Sequence, residues 1–160
     1  MYPLRNIEPW MHDVYMREAL KEAEAAAERD EVPVGCVIVC GDKIIARGHN
    51  LTQTLTDVTA HAEMQAIPAA ANWLGGKYLP DCVLYVTVEP CMMCAAALGW
   101  AQIGAVVFGA SDPKRGYLSH YGRKAPGMPT PLHPRTQVMG GVLEKECAAL
   151  MQDFFQSKRR

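Results

Sequence analysis

A buried strand, a short helix and a second buried strand follow one another between positions 83 and 108, and this triplet constrains the fold more than any other feature of the chain. Val83 to Val88 (VLYVTV) is apolar and β-branched almost throughout, Pro90 can open a helix from Cys91 to about Ala101, and Ala105 to Phe108 is apolar again. A helix between two strands returns the chain in its original direction, so the strands form a parallel pair with a right-handed crossover. Parallel strands are buried on both faces, and helices must therefore cover both sides of the sheet.

The same region contains a 19-residue run, Met92 to Ala110, whose one clearly polar side chain is Gln102. It is long enough to span a bilayer. Gly99, Gly104 and Gly109 punctuate it and its second half is short and β-branched, so a buried helix followed by a buried strand is expected, and no membrane association. The opening stretch, Met1 to Trp10, carries Arg5 and Glu8 and no apolar core. It is not a secretory leader, and a cytoplasmic location is expected.

The remaining elements fit around the triplet. His12 to Arg29 has apolar residues near helical spacing and predicts an amphipathic helix. Val34 to Cys40 and Lys43 to Arg47 form a predicted hairpin about Gly41-Asp42. Thr59 is placed to cap a helix from about Ala60 to Leu74, with Pro68 expected to kink or divide it and Gly75-Gly76 to stop it. Asp112 to Arg135, rich in Gly, Pro and Tyr, predicts a long loop with at most a helical turn. A helix from about Leu143 to Lys158 closes the chain. With 49% apolar and 21% charged residues, 160 residues can bury a sizeable core, and no linker marks a boundary, so residues 1–160 are expected to form a single domain. The class is α/β, a three-layer α/β/α sandwich around a mixed sheet.

Six cysteines, at 36, 40, 82, 91, 94 and 147, make an even count that a secreted chain would use for bridges. In a reducing compartment a metal or catalytic role for some and plain burial for Cys36, Cys40, Cys82 and Cys147 is expected. His61 lies at the start of one predicted helix; Cys91 and Cys94 (Cys-Met-Met-Cys) lie at the start of another. Helical residues three apart share a face, so both sulfurs can meet one ion, and an imidazole with two thiolates suits zinc with its fourth position open. Glu63 would point away from His61 in mid-helix, but in a first turn both can reach past the helix end. As a non-ligand it is free to move protons.

Each piece alone is weak. A Cys-x-x-Cys pair also serves thiol redox chemistry, and a His-Ala-Glu is usually ordinary surface or core. Together, His-x-Glu followed 28 residues after Glu63 by Pro-Cys-x-x-Cys gives the signature of zinc-dependent base deaminases, in which activated water attacks C4 of cytosine or C6 of adenine while the non-ligand Glu acts as acid and base.

Around these residues, Glu31-Val32-Pro33-Val34-Gly35, Thr59 to Glu63, Leu84 to Cys94, Val106 to Ala110, Glu146-Cys147 and Phe154-Phe155 resemble the bacterial tRNA-specific adenosine deaminases over nearly the whole chain. The resemblance implies a homodimer with a cytidine deaminase-like fold and a mixed five-stranded sheet. It implies conversion of the wobble adenosine of a tRNA anticodon loop to inosine, with His61, Cys91 and Cys94 as ligands of one zinc ion, Glu63 as proton shuttle, and Asn50, Ala60 and Pro90 as substrate-binding residues. Asp112 to Arg135 is longer and differently composed than in that family, and Pro68 is a second departure.

The net charge of −1 is unevenly spread: residues 1–111 hold 7 basic and 13 acidic side chains, residues 112–160 hold 9 and 4. The basic third is where RNA is expected. Lys114, Arg115, Arg123, Lys124, Lys158, Arg159 and Arg160 are candidate phosphate contacts, and Tyr117, His120 and Tyr121 candidate stacking surfaces. A free-base or nucleoside deaminase, a non-catalytic zinc-binding subunit and a thiol oxidoreductase are the competing functions; Glu63 opposes the second, since a structural metal site does not need it.

Overall fold

The computed structural model describes residues 2–159. Its elements are α1 (Pro9–Glu28), β1 (Gly35–Cys40), β2 (Lys43–His49), α2 (Ala62–Leu74), β3 (Cys82–Val88), α3 (Met92–Trp100), β4 (Ala105–Ala110), β5 (Gln137–Met139) and α4 (Glu144–Lys158), with a single-turn 3-10 helix at Pro3–Asn6 and a π-helical segment at Tyr117–Gly122. The sheet order is β2-β1-β3-β4-β5. β1 pairs antiparallel with β2 and β3, whereas β4 lies parallel to β3 and β5 parallel to β4. This is the expected mixed five-stranded sheet, and the run from Met92 to Ala110 is α3 followed by β4. No helix of the described residues is long and apolar enough to cross a membrane.

Alternation along the strands makes the layers. Val37, Val39, Val83, Tyr85 and Val107 pack with Tyr15, Met16 and Ala19 of α1 and Cys147 of α4. Their neighbours Cys36, Ile38, Leu84, Val86 and Val106 pack on the other face with Ala66 and Ala70 of α2 and Leu98 of α3. Each central residue thus buries its side chain against one helical layer or the other. Close approach fixes some glycines: a Cβ on Gly35 would lie 2.3 Å from the Ala19 carbonyl of α1. Cys36, Cys82 and Cys147 are buried core residues, as expected, whereas Cys40, at the end of β1, is only half-buried.

The hairpin turns at Gly41, whose φ of 65° suits a glycine. Three expectations need correction. Thr59 does not cap α2; its Oγ1 donates to Asp57 Oδ1 at 2.7 Å and the helix begins two residues later, with His61 at the N-cap position. Pro68 does not divide α2, which runs unbroken through it; the ring lies on the exposed face, where water can serve the carbonyl it leaves free. The segment after β4 is more ordered than a loop, since it contains both the π-helical stretch and the short edge strand β5.

Because β2, β3 and β4 run in the same direction, their C-terminal ends share one edge of the sheet. The segments that follow them, 50–61, 89–91 and 111–122, are thereby brought together, and an α/β sheet offers a crevice at such an edge.

Candidate metal centre and active-site cavity

His61 and Cys91 occupy matching places. Each is the N-cap of its helix, with φ/ψ of −72°/161° and −72°/172°, and neither side chain caps its own helix. Both side chains are left free to point at the space between α2 and α3. Cys94, one turn into α3, joins them from the buried side. His61 Nδ1 lies 3.6 Å from Cys91 Sγ and 3.5 Å from Cys94 Sγ, and the three donor atoms all fall within 4.8 Å of one another. Zinc bonds of about 2.0–2.1 Å to nitrogen and 2.3 Å to sulfur, at tetrahedral angles, place N and S roughly 3.6 Å apart. The donor set fits zinc in both chemistry and spacing.

The electrostatics agree with ligand chemistry. The Cys91 thiol is pulled down to about 4, foremost by its hydrogen bond with Cys94, against burial and with help from His61. Cys94, the other member of the pair, is pushed up by that bond and by burial. Hydrogen bonding to Cys91 raises His61 against the opposing effect of burial.

Glu63 sits in the first turn of α2 and is only 3% exposed. Burial pushes its carboxyl up to about 7, the nearby Cys91 adding to the shift, while its own backbone N–H and His61 oppose it. A carboxyl with a pKa near neutrality can both accept and return a proton. It faces, with His61, Cys91, Met92 and Asn50, a cavity of about 980 Å3. Asn50 is buried and held: its Oδ1 accepts from the Thr52 N–H at 3.2 Å and its Nδ2 donates to the Val32 carbonyl at 3.4 Å.

The other expected site residues divide. Ala60 and Pro90 are buried beside the cavity without contributing to its lining; the Ala60 carbonyl accepts from Leu51 N–H at 2.9 Å and that of Pro90 from Tyr117 N–H at 3.0 Å. Lys114, Arg115 and Arg159 line the cavity and are exposed. Arg123 and Lys124 are exposed beyond it. Lys158 belongs to a separate cleft, paired with Asp30, and Arg160 lies outside the described residues. Among the aromatic candidates, Tyr121 lines the cavity and His120 stands edge-on to it at 4.8 Å, but Tyr117 is 5% exposed and packs in the core, so it offers no outer stacking surface.

Two buried carboxylates stand outside the roles expected from the sequence. Glu31 accepts from the backbone of Gln53 and from the backbone and hydroxyl of Thr54, and Glu89 holds the segment after β4. A signal exists for Glu89, a charged residue inside an apolar stretch, and none for Glu31, which ends the charged run Glu28-Arg29-Asp30-Glu31; only the fold shows the distant donors they serve.

Residues 10–110 match the family model for the cytidine and deoxycytidylate deaminase zinc-binding region. The fold and the His/Cys/Cys centre are therefore those of the zinc-binding deaminases. The chain is 46% identical over 145 residues to the tRNA-specific adenosine deaminase of Agrobacterium fabrum, covering 91% of this chain and 94% of that one. A solved structure from a study of A-to-I editing by tRNA:A34 deaminases at the wobble position of transfer RNA superposes with a TM-score of 0.78 at 46% identity, covering 85% of this chain and 97% of the other. The guanine deaminase of Bacillus subtilis is more distant, with a TM-score of 0.62 and 33% identity over 77% of this chain and 81% of that one. This chain belongs to the tRNA-specific adenosine deaminase family.

Proposed function

We propose that the chain hydrolyses the wobble adenosine of a tRNA anticodon to inosine, releasing ammonia, with zinc as its metal. The observation that carries this reading is the 46% identity spread over 91% of the chain, which takes in both halves of the metal centre. His61, Cys91 and Cys94 hold the ion. When bound, zinc supplies the Lewis acidity that lets a water lose its proton near neutral pH. Glu63 accepts that proton and passes it to N1 of the purine as oxygen adds to C6. It then takes the remaining proton from the oxygen added at C6 and delivers it to the exocyclic nitrogen, so that the C6–N bond breaks, a C6 carbonyl forms and ammonia leaves. The Asn50 carboxamide, already fixed from two sides, orients the base, with Ala60 and Pro90 shaping the two helix starts around it.

Lys114, Arg115 and Arg159 at the cavity rim suit a phosphate backbone, and an anticodon loop offers a base that is already partly unstacked. Residues 1–160 act as one domain in the cytoplasm. The chain works as a homodimer, and large apolar side chains such as Trp73, Tyr78 and Trp100, which are 56%, 48% and 83% exposed, are available for burial against a second copy. Sedimentation at about twice 17.6 kDa is expected, and a fully active monomer at micromolar concentration excludes the dimer. The reaction is tested by measuring inosine at the wobble position of anticodon stem-loops incubated with the zinc-loaded protein, with free guanine, cytosine and cytidine in parallel. Ammonia from the free compounds without inosine in the stem-loop contradicts the reading.

A further inference from the structure

Glu89 lies between the last residue of β3 and Pro90-Cys91, 2% exposed. Among the described residues it has no cationic partner within ion-pair distance. Four donors from the segment after β4 serve its carboxylate instead. Oε2 accepts from the backbone N–H groups of Leu118 and Ser119, each at 2.9 Å. Oε1 accepts from the Asp112 N–H at 3.2 Å and from the Ser119 hydroxyl. Hydrogen bonds to an ionised acceptor are about twice as strong as neutral ones, and here they run to a single buried anchor.

Packing points the same way. Gly116, which bridges to Cys91 through its backbone, lies so close to the carboxylate that a Cβ there would stand 2.1 Å from Oε2. The segment is therefore folded directly over Glu89. Asp112, Lys114, Arg115 and Tyr121, on the same stretch, form one wall of the cavity. The donors the carboxylate satisfies include the amides that open the π-helical turn, where the backbone departs from regular helix.

We infer that Glu89 is a positioning residue that holds the Asp112–Tyr121 wall against the metal-ligand turn and thereby sets the affinity for the substrate without taking part in proton transfer. Its carboxylate fixes the loop that carries Lys114, Arg115 and Tyr121, whereas His61, Glu63, Cys91 and Cys94 sit at the starts of α2 and α3 and make no hydrogen bond with it. Lys114, Arg115 and Tyr121 lie on the cavity wall away from the reacting atoms, so displacing them removes binding common to ground and transition state, and the loss belongs in KM.

The substrate part of this inference rests on the proposed reaction; the loop part does not, and the test keeps them apart. Glu89→Gln replaces one acceptor oxygen by a donor that faces N–H groups. In the zinc-loaded full chain it should raise KM for an anticodon stem-loop roughly tenfold or more, with the single-turnover rate at saturation within about threefold of wild type and zinc content unchanged. Amide hydrogen exchange should show protection lost at Asp112, Leu118 and Ser119 and kept in α2 and α3. Ser119→Ala, which removes one donor outside the cavity lining, should move both readouts in the same direction and less far. Gly116→Ala should raise KM in the wild type and have a smaller effect beside Glu89→Ala, where the overlap with the carboxylate is gone and that with the Asp112 carbonyl, 2.6 Å from the added Cβ, remains. A fall in the saturated rate with KM unchanged, or lost zinc, or unaltered exchange at the three amides overturns the inference. A wild type that leaves the stem-loop untouched overturns the proposed reaction alone, and the exchange pattern then decides for Glu89.

Discussion

Residues 61–63 and 91–94 on one side, and 112–122 on the other, line the same cavity but are held in it by different means. The first group sits at two helix starts, where His61 and Cys91 are N-caps with nearly the same backbone angles and where Glu63 and Cys94 follow within one turn. Each position is set by its own local structure and by the pairing of β3 with β1 and β4. The second group has no regular element before its π-helical turn and depends on a carboxylate 23 to 30 residues away. The proposed chemistry falls on the rigid framework, and the proposed recognition on a segment anchored from beneath. The comparison makes separable predictions: changes in the first group should act on metal and rate, and changes in the second on affinity.

The largest effect is expected at the ligands. Cys91→Ala or Cys94→Ala should release the zinc, abolish deamination and lower stability, because the ion joins α2 to α3 and its binding is coupled to folding. Elemental analysis and thermal unfolding check this together; full zinc occupancy in both variants removes the assignment. Glu63→Gln comes next and divides rate from metal. It keeps the volume and cannot accept a proton, so single-turnover inosine formation should fall at least roughly 10³-fold while zinc content and stem-loop affinity stay near wild type. More than about a tenth of the rate remaining would falsify the acid-base role.

The second group is probed more gently. Replacing Lys114 and Arg115 by Ala should weaken stem-loop binding and lower the slope of log affinity against log salt by about 0.7 for each phosphate no longer neutralised. The saturated rate should hold. Arg123 and Lys124, exposed beyond the cavity, should give a smaller change. An equal effect from both pairs means that the basic third acts as a diffuse field and not through a wall of the cavity.

The same division explains what could be read from the sequence. The strand-helix-strand core, the hairpin and the metal ligands followed from patterns a few residues long, and α1 and α4 from helical periodicity. Thr59 misled because Asp57 offers its side chain an acceptor two residues away, which competes with capping. β5 was invisible because Gln137-Val138-Met139 has little strand character of its own; pairing with β4 makes it a strand, and Thr136 helps by donating to the Ile103 carbonyl at 2.7 Å. Tyr117 looked like a surface ring because nothing local shows that its main chain is drawn in by Pro90. Long-range anchoring, from Glu31 and Glu89 alike, leaves no periodic trace.

Glu31 extends the comparison to the loop after β2 and gives its smallest and most specific test. It is buried, accepts from Gln53 N–H at 3.0 Å and from the N–H and hydroxyl of Thr54 at 2.7 Å each, and so holds the loop that follows Asn50. Burial raises its pKa, but the hydrogen bonds from Thr54 and Gln53 outweigh it, and the carboxyl is held below the ordinary carboxylate value. A depressed folded-state pKa contributes stability that is fully present above the unfolded value of about 4.3 and is lost as pH falls through the folded one. Glu31→Gln puts an amide donor against these N–H groups and should cost about 1–3 kcal/mol at neutral pH. Since the variant cannot titrate there, the difference between it and wild type should shrink as pH falls below about 4. Urea unfolding of both proteins at pH 7 and at several acid values measures that difference directly, with effects common to both cancelling. A gap that stays constant with pH shows that Glu31 acts by shape alone, and then an ionised anchor is a device of the Glu89 wall and not of the cavity as a whole.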